Sequence, residues 1–382
     1  MKRILIFSLA YYPHVGGAEV ALKEITDRIS DIEFHMLTLN FSGELPEEKI
    51  GNICVHRIGP PVGGNASYLS KILFIPRAAA AAVRLHRIHH FDAFWAMMSY
   101  MLFPIVLLRF MDLRCPYILT LQEGDPWEHM FKRWFILPFR PLLSIGFRNA
   151  SAVQAISTYL SQWAKKMGYK KEVAIIPNGV DVVHFARKVT PRGEVSPYGT
   201  TLVTTSRLVH KNAVDDVIRA LALLPDAHFF ICGVGPDESS LKALAKDLGV
   251  EHRVEFKGHI EHSALPQALG ECDIFIRPSR SEGMGNSFIE AMAAGLPVIA
   301  TQEGGIADFL FDAKRNPDKE TTGWAVDKNS PEQIAEAVKD ITSHPEQVAR
   351  VVANAKKLVS EKYEWNLIAE KISHLFGTIS TI

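Results

Sequence analysis

The sequence predicts an α/β protein of two domains, each built on a parallel sheet. Three observations point there. At 382 residues the chain exceeds what one ordinary hydrophobic core accommodates, so two domains are the default. Short β-branched or aliphatic runs alternate with helical patterns, as expected for strands buried on both faces and joined by crossover helices. The stretch Phe185 to Gly199 holds Pro191, Gly193, Pro197 and Gly199 with little periodicity, and reads as the loop between the domains.

In the first half, strands are expected near 3–9, 33–39, 52–58, 93–97, 116–121, 151–156 and 172–176, with a helix over 18–30. The opening Met1-Lys2-Arg3-Ile4-Leu5-Ile6-Phe7 mimics a signal peptide. Its apolar stretch is short, though, and leads into Tyr11-Tyr12-Pro13-His14 and two glycines instead of a cleavage site, so it reads as a first buried strand. The longest apolar run, Ala93 to Leu108, contains Ser99, Tyr100 and Pro104 and is closed by Arg109. It falls short of the roughly 18–20 residues that span a bilayer and reads as a buried strand plus a helix. In the second half, strands are expected near 201–206, 227–232, 253–257, 272–276, 297–300 and 324–326, and helices over 213–224, 237–248, 286–294, 331–342 and 345–361. The halves read as two Rossmann-like domains, 1–184 and 185–363. Ligands in such sheets bind beyond the carboxyl ends of the strands, and two domains facing each other would share one cleft.

Composition removes several classes of function. Lys plus Arg (42) equals Asp plus Glu (42), so nothing overall suggests nucleic acid as a partner, and any anion must be bound by local placement of charge. Cys54, Cys115, Cys232 and Cys272 are scattered without a Cys-x-x-Cys pair, which reads as thiols in a reducing compartment with no metal or disulfide role. A cytoplasmic protein is expected.

Residues 277–297 carry the most chemistry: Arg-Pro-Ser-Arg-Ser-Glu-Gly-Met-Gly-Asn-Ser-Phe-Ile-Glu-Ala-Met-Ala-Ala-Gly-Leu-Pro. Glu282 and Glu290 flank a turn, Gly283-Met284-Gly285, that lets backbone N–H groups approach a ligand. Asn286 and Ser287 suit a helix start, and Gly295 with Pro297 marks its end. A helix N-terminus behind a glycine turn suits a phosphate, and a carboxylate one turn into the helix suits sugar hydroxyls. A nucleotide sugar supplies both.

The Glu-x7-Glu pattern followed by Ala-Met-Ala-Ala-Gly-Leu-Pro-Val-Ile resembles the signature of retaining glycosyltransferases of family 4. Gly16-Gly17, Pro177-Asn178-Gly179-Val180-Asp181, Ser206-Arg207-Leu208 with Lys211, and Gly304-Gly305 fall in the family's order. The resemblance implies the GT-B fold, two Rossmann-like domains with parallel sheets facing across a cleft. It also implies a last helix, about 364–382, that returns to the first domain. The implied activity is transfer of a sugar from a UDP- or GDP-linked donor to a glycan or lipid-linked acceptor, with no cofactor and no metal. Arg207 and Lys211 would clamp the donor diphosphate. Glu282 would contact the donor sugar, and Glu290 would grip the ribose. The backbone of Gly283, Met284, Gly285 and Asn286 would serve the phosphates or sugar. Gly16 and Gly17 would approach donor and acceptor, and His259 and Ile260 after Gly258 would hold the nucleobase. Gly233-Val234-Gly235-Pro236 reads as a turn.

Two departures stand out. Family members often carry glycine where this chain has Asn212; asparagine tolerates left-handed backbone angles. A histidine common in the loop after the fifth-expected strand is absent, and Gln122-Glu123-Gly124-Asp125 stands there. Glu123 or Asp125 would take over its contacts, or Asp125 would cap a helix. Residues 127–148 mix aromatics with Lys132, Arg133, Arg140 and Arg148, which suits either peripheral contact with a membrane, at the inner face, or a core helix with a basic edge. The rival readings on the same scaffold are a nucleotide-sugar epimerase and a non-catalytic sugar-nucleotide-binding protein.

Overall fold

The computed structural model describes residues 1–63, 67–186 and 199–379. The core of the expected linker, 187–198, lies outside the described residues. The chain divides into two compact units, Met1–Asn178 with Trp365–Ile382, and Gly179–Glu364. The division falls after Asn178, where the sequence suggested His184.

The first unit holds strands β1 (Lys2–Phe7), β2 (Ile32–Leu39), β3 (Glu47–Ile50), β4 (Ile53–Ile58), β5 (Ala93–Met97), β6 (Tyr117–Leu121), β7 (Ala152–Ala155) and β8 (Ala174–Ile175), in the order β3-β4-β2-β1-β5-β6-β7-β8. All pairings are parallel except β3 with β4. β3 is a charged strand at the edge of the sheet, Glu-Glu-Lys-Ile, with no apolar alternation by which to read it. The first strand is buried as expected: Leu5, Ile6 and Phe7 expose no surface. The helices are α1 (Gly17–Asp27), α2 (Tyr68–His89), α3 (Leu102–Phe110), α4 (Trp127–Phe131), α5 (Arg140–Asn149) and α6 (Thr158–Lys166). The apolar run from Ala93 resolves into β5 and α3. α2 starts at an N-cap, Ser67, whose hydroxyl accepts from Ser70 N–H at 3.1 Å. Pro76 inside it disguised its helical pattern.

The second unit begins with α7 (Val182–Ala186) and continues β9 (Thr200–Thr205), α8 (Val214–Leu221), β10 (Ala227–Cys232), α9 (Glu238–Asp247), β11 (Val254–Gly258), α10 (Leu265–Gly270), β12 (Ile274–Arg277), α11 (Asn286–Ala294), β13 (Val298–Ala300), β14 (Trp324–Ala325), α12 (Pro331–Ser343) and α13 (Pro345–Lys362). Its sheet runs β11-β10-β9-β12-β13-β14, all parallel. From β9 the chain winds outward to β11, then returns to place β12 on the other side of β9. That reversal makes the carboxyl ends of β9 and β12 the switch point where ligands of such sheets bind.

The last helix, α14 (Trp365–Gly377), belongs to the first unit and packs on α1. Its Trp365, Ile368, Ile372 and Phe376 join Ile4, Ile6, Phe34 and Trp95 in one core. Among the described residues no helix is long and apolar enough to cross a membrane, and the four cysteines are thiols. Cys232 and Cys272 are buried and Cys54 and Cys115 half-buried.

Candidate active site

The loops after β9 and β12 meet at the switch point. β9 delivers Ser206 and Arg207; a short 3-10 turn over His210–Asn212 delivers Lys211. Arg207 is exposed and Lys211 half-buried. β12 ends on Arg277, and the chain then turns through Glu282–Gly285 into α11. Two tethers join these loops. Arg280 N–H donates to the Lys211 carbonyl at 2.7 Å, and the Arg280 guanidinium bonds the His210 carbonyl at 2.7 Å. The same guanidinium grips Asp215 at 2.8 and 2.9 Å and Asp216 at 2.9 Å, at the start of α8. Burial pushes the Asp215 carboxyl upward, but the hydrogen bond and charge of Arg280 outweigh it and hold the group below its usual range. Burial, with Asp215 adding to it, raises Asp216.

Arg277 organises the centre of the site, and sequence reasoning missed it. It is 8 % exposed. Its guanidinium donates to Ser287 Oγ at 2.8 Å and Asn212 Oδ1 at 3.0 Å, forms an ion pair with Glu282, and lies over the Phe288 ring. Glu282, also 8 % exposed, accepts from Gly283 N–H at 3.0 Å through its other oxygen. The signal available was an arginine at the end of a buried strand, where an unpaired charge is costly and a partner is required. Asn212 is buried and donates to the Arg207 carbonyl at 2.6 Å. Its departure from glycine is therefore explained by side-chain bonding. The left-handed residue is the next one, Ala213, at φ 55°.

The glycines of the turn are needed for space. At Gly285, with φ +88°, a Cβ would meet the Phe288 ring at 2.5 Å; at Gly304, φ +62°, it would lie 1.9 Å from the Glu282 carbonyl. Gly305 N–H donates to that same carbonyl at 3.1 Å. Gly233 and Gly235 likewise press against the Ser206 and Leu208 carbonyls, so the Gly233–Pro236 segment is a close-packed wall of the Arg207 loop.

Glu290 sits in α11, 8 % exposed, with Oε1 3.1 Å from Nε2 of the exposed His262. His262 was not singled out from sequence; it follows Gly258, His259 and Ile260 after β11. His259 is exposed and lies 3.2 Å from Glu261, and Ile260 is half-buried. The second unit thus brings together Arg207, Lys211, Glu282, Gly283, Met284, Gly285 and Asn286 on one pair of loops, with Glu290 one turn further along α11.

The remaining candidates belong to the first unit. Gly16 is the N-cap of α1, extended at φ −129°, and its N–H donates to Glu19 at 2.8 Å. Neither Gly16 nor Gly17 has a positive φ, so the turn itself does not demand glycine there. Glu123 follows β6 and is buried. It accepts from Ser99 N–H at 2.6 Å, while its other oxygen has no partner. Burial raises its pKa. Pro126 occupies the N-cap position of α4. Asp125, just before it, lies 3.9 Å from His129.

Residues 127–148 divide between the two expectations. Trp127, Phe131, Leu143 and Phe147 are core. Trp134, Leu137 and Phe139 are exposed, Trp134 by 82 %. Tyr68 of α2 packs edge-on to Phe135 at 6.2 Å and, with Leu69 and Ile72, extends the exposed apolar surface.

The chain is similar to known glycosyltransferases in sequence and in fold. Glycosyltransferase Family 4 matches residues 15–184, and Glycosyl transferases group 1 matches residues 195–358. A GDP-mannose-dependent alpha-(1-6)-phosphatidylinositol monomannoside mannosyltransferase of Mycolicibacterium smegmatis is 31 % identical over 263 residues, 64 % of this chain and 67 % of that protein. The Mycobacterium tuberculosis protein of that name is 30 % identical over 63 % of this chain and 65 % of its own length, so the match spans about two thirds of these relatives. An uncharacterised glycosyltransferase of Methanocaldococcus jannaschii is 23 % identical over 100 % of this chain and 99 % of its own. In three dimensions, sucrose-phosphate synthase from Thermosynechococcus elongatus superposes with a TM-score of 0.83 at 17 % identity, covering 99 % of this chain and 98 % of that one. Anabaena HepE in complex with UDP-glucose gives 0.78 at 20 %, covering 99 % and 100 %. The fold is that of the GT-B glycosyltransferases. The chain belongs to glycosyltransferase family 4.

Proposed function

We propose that this protein is a retaining glycosyltransferase that moves a sugar from a GDP- or UDP-linked donor to a lipid-linked or glycan acceptor in envelope glycan synthesis. The observation that carries the reading is the joining of the Lys211 loop to the Glu282 turn at the switch point of the second sheet, through Arg280 and Asn212. In support of the reading, two cations, a helix N-terminus and two carboxylates belong to these two tethered loops and the helix that follows. The names of the mycobacterial relatives make GDP-mannose the first donor to test.

In this reading Arg207, Lys211 and the N-terminus of α11 hold the diphosphate and offset the charge that grows on it as the sugar departs. They do the work that a divalent ion does at other sites. Glu290 accepts from the ribose hydroxyls and Glu282 from a hydroxyl of the donor sugar. Arg277 fixes the Glu282 carboxylate, so that the oxygen is already aimed when the donor binds. The leaving phosphate oxygen takes the acceptor proton on the same face, which keeps the anomeric configuration. Glu123, its pKa raised by burial, is a carboxyl able to donate to an acceptor or sugar oxygen where the family's histidine is missing. The exposed Trp134, Leu137 and Phe139, flanked by Lys132, Arg133 and Arg140, are placed against the anionic surface that carries a lipid-linked acceptor.

The test is transfer of labelled mannose or glucose from GDP-mannose or UDP-glucose to a lipid extract, with the anomer of the product read by NMR. Retention in the wild type and loss of transfer in Glu290→Ala are expected. Donor consumed with inversion, or transfer undiminished in Glu290→Ala, would refute the reading.

A further inference from the structure

The first unit carries a histidine cluster that the proposed transfer does not use. Glu33 and His35 lie on the same face of β2, two residues apart. His89 closes α2, its ring centroid 4.3 Å from that of His35. One ligand atom from each of Glu33, His35 and His89 can be chosen so that all three lie within 4.8 Å of one another. His35 is buried, and Glu33 and His89 are half-buried.

A chain of polar contacts runs through this group. Glu33 Oε1 lies 2.8 Å from His35 Nε2. His35 Nδ1 lies 3.0 Å from His56 Nε2, the two rings stacked at 7°. His56 Nδ1 faces Glu47 Oε2 at 3.6 Å. The first two are hydrogen-bond distances, and the third, at 3.6 Å, is an electrostatic contact with a solvent-exposed carboxylate. With its proton on Nδ1, donated to His56, His35 presents the lone pair of Nε2 to the side of Glu33, and the imidazole of His89 stands beside the same pair as a third ligand.

We propose that Glu33, His35 and His89 bind a divalent transition-metal ion that favours imidazole and carboxylate ligands, with zinc the best match. Such ions take three protein ligands and a water at about 2.0–2.2 Å. The surrounding contacts are those of an outer shell. His56 takes the Nδ1–H of His35, and Arg3 Nε holds the other oxygen of Glu33 at 3.1 Å, leaving Oε1 for the metal. Arg3 also donates to the His89 carbonyl at 2.9 Å, which fixes the end of α2 against the strands. The site lies at the amino end of β2, away from the carboxyl-end loops, so the ion acts as a clip between β2 and α2.

The experiment uses the full chain, stripped with chelator and desalted. It is titrated with Zn²⁺ against a chromogenic chelator and, separately, with Co²⁺ followed by visible absorption. One tight ion per chain and the d–d bands of a four-coordinate nitrogen–oxygen site are expected. His89→Ala and Glu33→Gln should each weaken binding by about tenfold or more, the scale seen even for outer-shell losses. His252→Ala, an exposed histidine of the second unit, should leave it unchanged. The chain has 15 histidines, so an adventitious ion on the surface is the competing result. Weak binding spread over several sites, or a tight ion retained by both ligand variants, overturns the proposal. Circular dichroism checks each variant; should His89→Ala misfold, Glu33→Gln decides alone.

Discussion

Replacing Arg277 with methionine isolates the pair that holds Glu282. Both side chains are 10 % exposed, so solvent screens the pair little. The substitution removes the bonds to Ser287 and Asn212 and leaves the Glu282 carboxylate buried without its counterion. Breaking a buried pair from one side costs about 3–5 kcal/mol, much of it from the charge left behind. Adding Glu282→Gln removes that charge. The double variant should therefore cost less than the two single variants summed, by about 2 kcal/mol, within the range of coupled contacts. Urea unfolding followed by circular dichroism measures each stability, and hydrogen exchange of α11 assigns the transition to the second unit. Additivity within about 0.5 kcal/mol would show that the two groups do not hold each other, and the role given to Arg277 would fall.

Other expectations follow from single contacts. Gly304→Ala drives a Cβ to 1.9 Å from the Glu282 carbonyl at φ +62°; it should cost about 1–3 kcal/mol in unfolding and weaken donor binding, and a neutral effect would contradict the packing of the turn. Glu123 has its pKa raised by burial from an ordinary 4.5, so folding favours its neutral form. Its contribution is complete below that value and is lost as pH rises through the folded-state pKa. Stability should fall over that rise in the wild type and less in Glu123→Gln; equal slopes would place the titration elsewhere. The paired change Trp134→Glu, Phe135→Glu should abolish flotation on anionic liposomes while leaving unfolding near wild type. A wild type that fails to float would remove the membrane surface.

The fold was largely legible because its strands are short aliphatic runs buried on both faces. β1, β5, β9, β10 and β12 needed nothing else. Of the elements that escaped, which include α6 and α10, three had plain physical reasons. β3 is an edge strand of charges, α2 carries a proline and exposes Tyr68, Leu69 and Ile72, and α7 is a five-residue helix in a stretch that reads as loop. Among the candidate residues, Glu282 and Glu290 stood out through a local pattern of glycine and helix start, and Lys211 through its place after a strand and the family resemblance. Arg277, Arg280 and His262 did not, because their meaning lies in partners up to 70 residues away in sequence. A periodicity argument sees residues that neighbour one another along a helix or strand; it cannot see a guanidinium that ties two loops across a sheet. Asn212 shows the same limit: its identity follows from Arg207 and Arg277, not from its own backbone angles.

The most direct test is calorimetric titration of the protein with GDP-mannose, UDP-glucose and the free nucleotides, alongside Lys211→Ala and Glu290→Ala. Two hydrogen bonds to a charged carboxylate are worth roughly 1.5–3 kcal/mol each, so Glu290→Ala should weaken the preferred nucleotide by tenfold at least. Selective binding of one nucleotide family, weakened in both variants, is the expected result. Absence of binding by any nucleotide or nucleotide sugar to the folded wild type would contradict a donor site at the β9–β12 switch point.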